Sequence, residues 1–199
     1  MINVVSLGRD STAGSWGTVA ARKMTQFDLQ LLVVVTGAPG SGKTTIARGL
    51  AAELALPLLA KDDIKEPLFD TLGVGDRDWS RKLGAATYEI LYALARRLLE
   101  AGASCIVESN FSDAAPLRAL PSARVVQVFC AAPDDVILER YAARVRHPGH
   151  LDDQIVEELR ERLERREWKP LDLDGTLIEL DTRKPIDVRA LAARISRGA

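Results

Sequence analysis

The sequence predicts one α/β domain built on a parallel sheet, and three observations carry that prediction. The run 31–35 is wholly apolar, which suits a strand buried on both faces. Directly after it, Gly37-Ala38-Pro39-Gly40-Ser41-Gly42-Lys43-Thr44 meets the pattern G-x-x-x-x-G-K-[ST] at every fixed position, and Ile46, Leu50 and Leu54 then recur at the spacing of one helix face. Beyond that unit, apolar runs and helical periodicity alternate along the chain, the order required by a parallel sheet with helices on both faces.

Taken in order, strand one is predicted at 31–36 and the first helix at 43–55. Strand two, 57–60, delivers Lys61-Asp62-Asp63 to its end, and a helix follows over 63–72. Gly73 and Gly75 break it. A long helix is expected over 78–101, with Leu91, Leu94 and Leu98 on one face and Gly102 as C-cap. Strands three and four are placed at 104–108 and 124–130. Pro133-Asp134-Asp135 opens another helix, because proline and acids suit a first turn, and that helix carries Arg140 and Arg144 toward its end. Pro148 and Gly149 interrupt regular helix within 146–150. Asp152 and Asp153 start the next helix, with Ile155, Leu159 and Leu163 as its buried stripe. Strand five is predicted at 176–181, with a last helix after Pro185. No internal repeat or long linker divides 30–199, so it is expected to be a single domain with a lid segment around 140–153. Residues 1–29, rich in Gly, Ser and Thr between 6 and 18, are expected to form a disordered or loosely packed extension, with Met24 as an alternative initiator.

Bulk composition narrows the function classes. A chain of 199 residues, 47% hydrophobic and 28% charged, is long enough for one full core. Its net charge of −1 provides no global basic field, so nucleic acid is not the expected partner. No apolar run approaches a membrane span, and no apolar segment follows a basic start as in a secretory signal. Cys105 and Cys130 each sit in an apolar run and are expected as buried free thiols, which fits a reducing cytoplasm.

The glycine loop carries chemistry. Glycines let backbone N–H groups converge on phosphate oxygens, and the following helix N-terminus adds a favourable dipole. Lys43 would reach the β- and γ-phosphates of a nucleoside triphosphate, and the Thr44 hydroxyl would ligate Mg²⁺. In open parallel sheets ligands bind beyond the carboxyl ends of the strands, so the polar residues there are the candidates. Strand two ends in Asp62 and Asp63, and strand three in Glu108, Ser109 and Asn110. Asp62 is the candidate to accept a proton from an acceptor group, with helix capping as the alternative for either aspartate. Glu108 occupies the position of an acid that holds a Mg²⁺-bound water, or else it binds substrate. Asn110 orients substrate or starts a turn. Arg140, Arg144 and Arg146 form a candidate positive clamp on a segment that closes, against the alternative of a solvated basic helix end. His147 and His150 are expected in a lid contact or a surface loop rather than at zinc. Trp79 and Trp168 are expected to pack.

These motifs together define a resemblance. The run 37–45, ending in Thr45, is followed by Lys61-Asp62-Asp63-Ile64-Lys65 and Val107-Glu108-Ser109-Asn110-Phe111. Arg140 and Arg144 with His147-Pro148-Gly149-His150 complete a set similar to the small P-loop kinases of the zeta-toxin and chloramphenicol-phosphotransferase-like group, over most of 31–195. The resemblance implies a P-loop NTPase three-layer sandwich, with a five-stranded parallel sheet in the order 2-3-1-4-5 and an arginine-bearing lid. That order would put strand one between the two cysteine strands. ATP and Mg²⁺ are the expected cofactors, with Mg²⁺ at Thr44 and, in one of the two readings of that acid, at Glu108, which replaces the aspartate of the standard family pattern. Asp62 would act on the acceptor hydroxyl, with Lys65, Asn110 and Arg146 around the acceptor and Arg183 in an adenine-side loop over 181–185. Many relatives have arginine where this chain has Lys65, a point charge without the bidentate fork. The implied reaction moves the γ-phosphoryl of ATP to a hydroxyl of a sugar, nucleoside, nucleotide sugar or antibiotic. A polynucleotide or tRNA-linked acceptor and a nucleotide-gated switch are the competing expectations. A pocket opposite the loop would mark a kinase, and a flat surface at Asp62 and Glu108 would mark a switch. A hexameric AAA+ motor would need a longer module with a helical lid domain.

Overall fold

The computed structural model describes residues 29–144, 147–150 and 156–198. Most of the expected N-terminal extension, together with Arg146, Asp152, Asp153 and Ile155, lies outside the described residues. The elements run β1 (Leu31–Gly37), α1 (Lys43–Leu54), β2 (Leu58–Ala60), α2 (Lys61–Leu72), α3 (Arg77–Glu100), β3 (Cys105–Glu108), α4 (Ala115–Arg118), β4 (Arg124–Ala131), α5 (Asp134–Ala143), a 3₁₀ turn at Pro148–His150, α6 (Val156–Glu164), β5 (Thr176–Asp181) and α7 (Val188–Ser196).

β1 is buried at every position, as its unbroken apolar run requires. Alternate side chains leave it on opposite faces. Leu31, Val33 and Val35 pack with Ile46 and Leu50 of α1 and Leu191 and Ile195 of α7. Leu32 and Val34 pack on the other face with Leu91, Ala95 and Leu99 of α3 and with Leu117 of α4. The result is a three-layer sandwich in which the five strands pair in the order β2-β3-β1-β4-β5, all parallel. Cys105 faces Leu32 from one side of β1 and Cys130 faces Gly37 from the other, so the strand between them keeps both thiols free. Burial pushes the Cys105 thiol up to about 11 and the Cys130 thiol up to about 12.

Several expectations need correction. α2 begins at Lys61, with Ala60 as its extended N-cap, so Asp62 and Asp63 stand in its first turn rather than ahead of it. Acids there complement the helix dipole. Gly102 lies one residue past the cap of α3, which is Ala101. Gly102 N–H donates to Leu99 O at 3.0 Å and Ala103 N–H to Leu98 O at 2.9 Å, a Schellman ending. α4 was not foreseen, because four residues are too few to show periodicity. Phe111 and Leu117 are buried in the α3-side core.

Candidate functional site

Sheet register brings the polar strand ends together. Glu108 is opposite Val35 on one side and Ala60 on the other. The ladder continues one residue, with Ser109 N–H donating to Val35 O at 3.2 Å. The glycine loop, the first turn of α2 and the 108–110 segment therefore share one edge of the sheet.

The loop is built for a close-approaching ligand. Gly40 has φ +87°, and a Cβ there would stand 2.7 Å from Ile137 O. Gly42, at φ +84°, is the N-cap of α1 without a side-chain capping bond. The first-turn N–H groups of α1 thus lack the side-chain acceptor that most helices supply. Ser41 Oγ is buried with no hydrogen-bond partner, a polar atom a bound group would satisfy. Lys43 Nζ donates to Ala38 O at 3.3 Å and lies 4.0 Å from Glu108 Oε1.

Glu108 is only 3% exposed. Burial raises its carboxyl above the ordinary range, while Lys43 and a hydrogen bond from Thr44 work against that rise, and Asp62 and Asp63 reinforce it. A hydroxyl and one carboxylate beside a phosphate loop form the hard-oxygen donor set that suits Mg²⁺, an ion usually held by one or two carboxylates plus phosphate oxygens. Because the folded-state value is raised, the unfolded chain loses this proton first as pH climbs above the usual glutamate range. Glu108 therefore lowers stability as pH rises through that window. Glu108→Gln is expected to raise the unfolding midpoint of the ligand-free protein at neutral pH and to flatten its pH dependence, measured by thermal melts from acid to neutral pH.

Two cavities open on this edge. The first, about 560 Å³, is lined by Gly40, Gly42, Lys43, Thr44, Thr45 and Arg48 from the loop and α1, and by Asp62, Asp63, Glu66, Glu108, Arg140, Arg144 and His147. The second, about 400 Å³, lies between α2 and α3 and includes Lys65, Tyr88, Ser109 and Asn110. Lys43, Asp62, Glu108 and Arg144 line both, so the cavities meet at these four side chains.

The two aspartates are distinguished by their surroundings. Asp63 pairs with Arg48 of α1 at 3.1 Å, with both side chains largely exposed, whereas Asp62 stands where the cavities meet. Arg144 also lies over the Tyr141 ring, 3.9 Å from its centroid. Arg140 lines only the loop cavity, and its guanidinium donates to Thr182 Oγ1 at 3.1 Å and to Thr182 O at 2.8 Å, tying α5 to the loop after β5. Arg183 lines neither cavity. It is clamped to Asp181, with Nη2 to Oδ2 at 2.6 Å and Nε to Oδ1 at 2.9 Å, and this holds the Asp181 carboxyl down at about 2. Asn110 Oδ1 accepts from Ser109 Oγ at 3.3 Å, and Ser109 Oγ lies 2.9 Å from Tyr88 OH. Trp168 packs as expected, beneath the guanidinium of Arg162.

The histidine segment docks on α2. His147 stacks on Phe69 with centroids 5.3 Å apart, and His150 meets the same ring edge-on at 5.7 Å. Gly149 N–H donates to His147 Nδ1 at 3.1 Å, so Nε2 carries the hydrogen shared with Asp70 Oδ1, 3.1 Å away. His150, 7% exposed, has Nε2 2.9 Å from Glu66 Oε1. The partners Glu66 and Asp70, one turn apart on α2, escaped sequence reasoning. Their signal was the matching i, i+4 acids and the H-x-x-H spacing. Among the described residues no group of three or more His, Cys, Asp or Glu side chains forms a metal cage. A Cβ at Gly149 would stand 2.5 Å from the Phe69 ring. Gly149→Ala is therefore expected to lift this turn from α2 at a cost of about 1–3 kcal/mol, measured by urea denaturation and faster hydrogen exchange in α2.

A parallel sheet in the 2-3-1-4-5 order with a phosphate loop after its central strand defines a P-loop kinase-like protein. The AAA domain family model matches residues 32–166, and the chain belongs to that family. It is 36% identical to a candidate kinase from Chloroflexus aurantiacus whose crystal structure superposes with a TM-score of 0.73, covering 86% of this chain and 99% of that one. A sugar kinase from a Janibacter species shares the fold at 23% identity and a TM-score of 0.54, over 85% of this chain and 94% of that one. Cytidylate kinase of Ignicoccus hospitalis is 30% identical over 138 residues, 67% of this chain and 74% of that protein. The uncharacterized protein Rv2004c of Mycobacterium tuberculosis is 33% identical over 126 residues, 57% of this chain. The chain spans a quarter of the length of this and its fellow mycobacterial relatives, 25% in each case. No helix among the described residues is long and apolar enough to cross a membrane.

Proposed function

We propose that the protein is an ATP-dependent phosphotransferase that moves the γ-phosphoryl group to a hydroxyl of a small molecule. The observation that carries this reading is the meeting of two cavities at Lys43, Asp62, Glu108 and Arg144. A switch needs only the loop cavity. A second concave site opening on the same four side chains is what a second substrate requires. The likeness to a cytidylate kinase and a candidate kinase supports the same class.

In this scheme the loop N–H groups and Lys43 hold the donor phosphates, and Arg144, just past the end of α5, faces the moving group. The guanidinium balances charge spread over the equatorial oxygens. Thr44 and Glu108 would hold Mg²⁺, which would offset phosphate charge when bound. Asp62 orients the acceptor hydroxyl and takes its proton as the new P–O bond forms and the bond to the β-phosphate oxygen breaks. Arg140 fixes the loop after β5 beside Gly42, whose added Cβ would stand 3.7 Å from Thr182 Cβ and 3.9 Å from Arg140 Nη1. It acts as a positioning residue. Arg183, held by Asp181 outside both cavities, is left out of the scheme.

The test is acceptor-stimulated release of ADP across a panel of sugars, nucleosides, nucleotide sugars and antibiotics, with mass spectrometry of the product. The expected result is stimulation by one acceptor class and an added phosphoryl group on that acceptor. Slow ATP hydrolysis indifferent to every acceptor would overturn the reading.

A further inference from the structure

The α2–α3 cavity is walled by polar groups, most of them engaged by the protein itself. Among its described lining residues only Pro39, Gly84 and Ala85 lack a polar or charged group, so an apolar acceptor would bury little against it. The two phenol rings of the lining are occupied. Lys61 Nζ sits over the Tyr88 ring, 4.5 Å from its centroid, and Tyr92 stacks with the same ring at 5.9 Å. Tyr141 is 3% exposed beneath the Arg144 guanidinium. Rings engaged in this way offer no bare face to a nucleobase. The arginines that reach the cavity from α3 and α6 carry their own counter-charges: Arg77 pairs with Glu158 at 2.6 Å, Arg162 with Glu167 at 2.6 Å and Arg81 with Asp78 at 3.5 Å. Lys65 Nζ donates to Ser80 Oγ at 3.0 Å. With these partners in place, the cavity does not depend on an anionic ligand for charge balance.

Tyr88, Ser109 and Asn110 differ, because their hydrogen bonds run in one direction. Ser109, 2% exposed, has a single hydroxyl hydrogen, which it donates to Asn110 Oδ1 at 3.3 Å. Ser109 Oγ therefore accepts from the Tyr88 hydroxyl, 2.9 Å away. With the Asn110 oxygen and the Tyr88 hydrogen both committed, the Nδ2–H donors of Asn110 and a lone pair of the Tyr88 oxygen remain for a ligand. Burial raises the Tyr88 phenol above its ordinary range, opposed by the Ser109 hydrogen bond and reinforced by Asp62 and Glu108, so the group stays a hydroxyl at neutral pH. Both groups stand within hydrogen-bond distance of one atom, Ser109 Oγ, close enough to share a ligand atom. A donor beside an acceptor is the complement of a hydroxyl, which accepts through its oxygen and donates its hydrogen. An ionised carboxylate or phosphate has acceptors only, and would set an oxygen against the Tyr88 lone pair.

We infer that the acceptor is a polyol with at least two hydroxyls, one reacting at Asp62 and a second held between Asn110 Nδ2 and the Tyr88 oxygen. The place of the reacting hydroxyl rests on the two-substrate reading, and the second seat rests on the Tyr88–Ser109–Asn110 chain. Lys61, the neighbour of Asp62 on α2, reaches over the Tyr88 ring, so both seats open on one space of about 400 Å³, the scale of a small molecule. Tyr88 is then a specificity-determining residue, and Ser109 a positioning residue that acts through Tyr88 and Asn110.

The experiment measures binding without transfer. With the loop saturated by a non-hydrolysable ATP analogue, the full chain is titrated calorimetrically with glucose, mannose, ribose, myo-inositol and glycerol. Glucose 6-phosphate and ribose 5-phosphate are the charged counterparts, and adenosine is ribose bearing a base. At least one polyol is expected to bind, with the phosphate or base tightening binding by less than about ten-fold. For that polyol, Tyr88→Phe keeps the ring and its contacts and is expected to weaken binding about five-fold or more. Ser109→Ala, which frees both groups to turn, is expected to act in the same direction. The monodeoxy forms of the polyol separate recognition from structure. One of them should bind the native chain more weakly and lose nothing further in Tyr88→Phe, because the hydroxyl it lacks is the one Tyr88 holds. Failure of every polyol to bind, a phosphate or base that tightens binding about ten-fold or more, or a Tyr88→Phe loss equal on every deoxy form would overturn the inference. Polyol binding with the deoxy signature but no transfer would uphold it and overturn the kinase reading. Transfer to an acceptor that binds Tyr88→Phe as tightly as the native chain would do the reverse.

Discussion

Asp62→Asn is expected to lower turnover by about two to four orders of magnitude while leaving ATP affinity unchanged or slightly improved. The direction of the second effect follows from charge. Asp62 lines the cavity beside the phosphate loop, and removing a negative charge from the neighbourhood of a polyanion does not weaken its binding. Asparagine keeps the shape of the side chain and its place in the first turn of α2, so folding is preserved. Equilibrium ATP titration and steady-state kinetics on the same preparation check both parts. Asp63→Asn is the matched control. Its carboxylate faces Arg48 at the surface, and a pair this exposed contributes about 0–1 kcal/mol, so turnover should change little.

Lys43→Ala is expected to abolish measurable transfer and to weaken ATP binding by about ten- to a hundred-fold, the value of a charge-assisted hydrogen bond to phosphate. Its second consequence is on stability. Lys43 lies 4.0 Å from the buried Glu108 carboxyl and is the largest influence holding its proton affinity down. Without it, only the Thr44 hydrogen bond opposes burial and the two aspartates, and the ionised form of Glu108 costs the fold more at neutral pH. Lys43→Ala should therefore melt earlier than the native chain at neutral pH. Adding Glu108→Gln should restore the melting temperature without restoring transfer. Rescue of activity by the second substitution would refute the roles given to both residues.

The fold was legible where local chemistry fixes it. β1, the glycine loop and α1 follow from an apolar run, a motif and a helix period that all agree. β5 was bounded correctly from its own pattern. Strand order did not come from periodicity, which is blind to which strands pair. It came from the resemblance, and the sheet bears it out. At the site, Asp62 and Glu108 were found because strand ends in a parallel sheet converge. Arg77 and Arg81 were missed because their spacing on α3 matches an ordinary solvated face, and only the packing of α2 across it turns that face into a wall. Gly84, which lines the same cavity, left a faint trace as a glycine inside a long helix. Arg183, placed by the resemblance in an adenine-side loop, is held by the carboxylate two residues before it and lines neither cavity.

The two cavities are proposed to form one cleft for a donor and an acceptor. A single-turnover reaction with ATP labelled in the γ-phosphoryl group, quenched in the presence and absence of an acceptor identified by binding, tests it most directly. Label is expected to move to an acceptor hydroxyl as a phosphate ester, at a rate set by acceptor concentration and lost in Asp62→Asn. Label appearing only in inorganic phosphate, at a rate indifferent to acceptor and to Asp62, would contradict it.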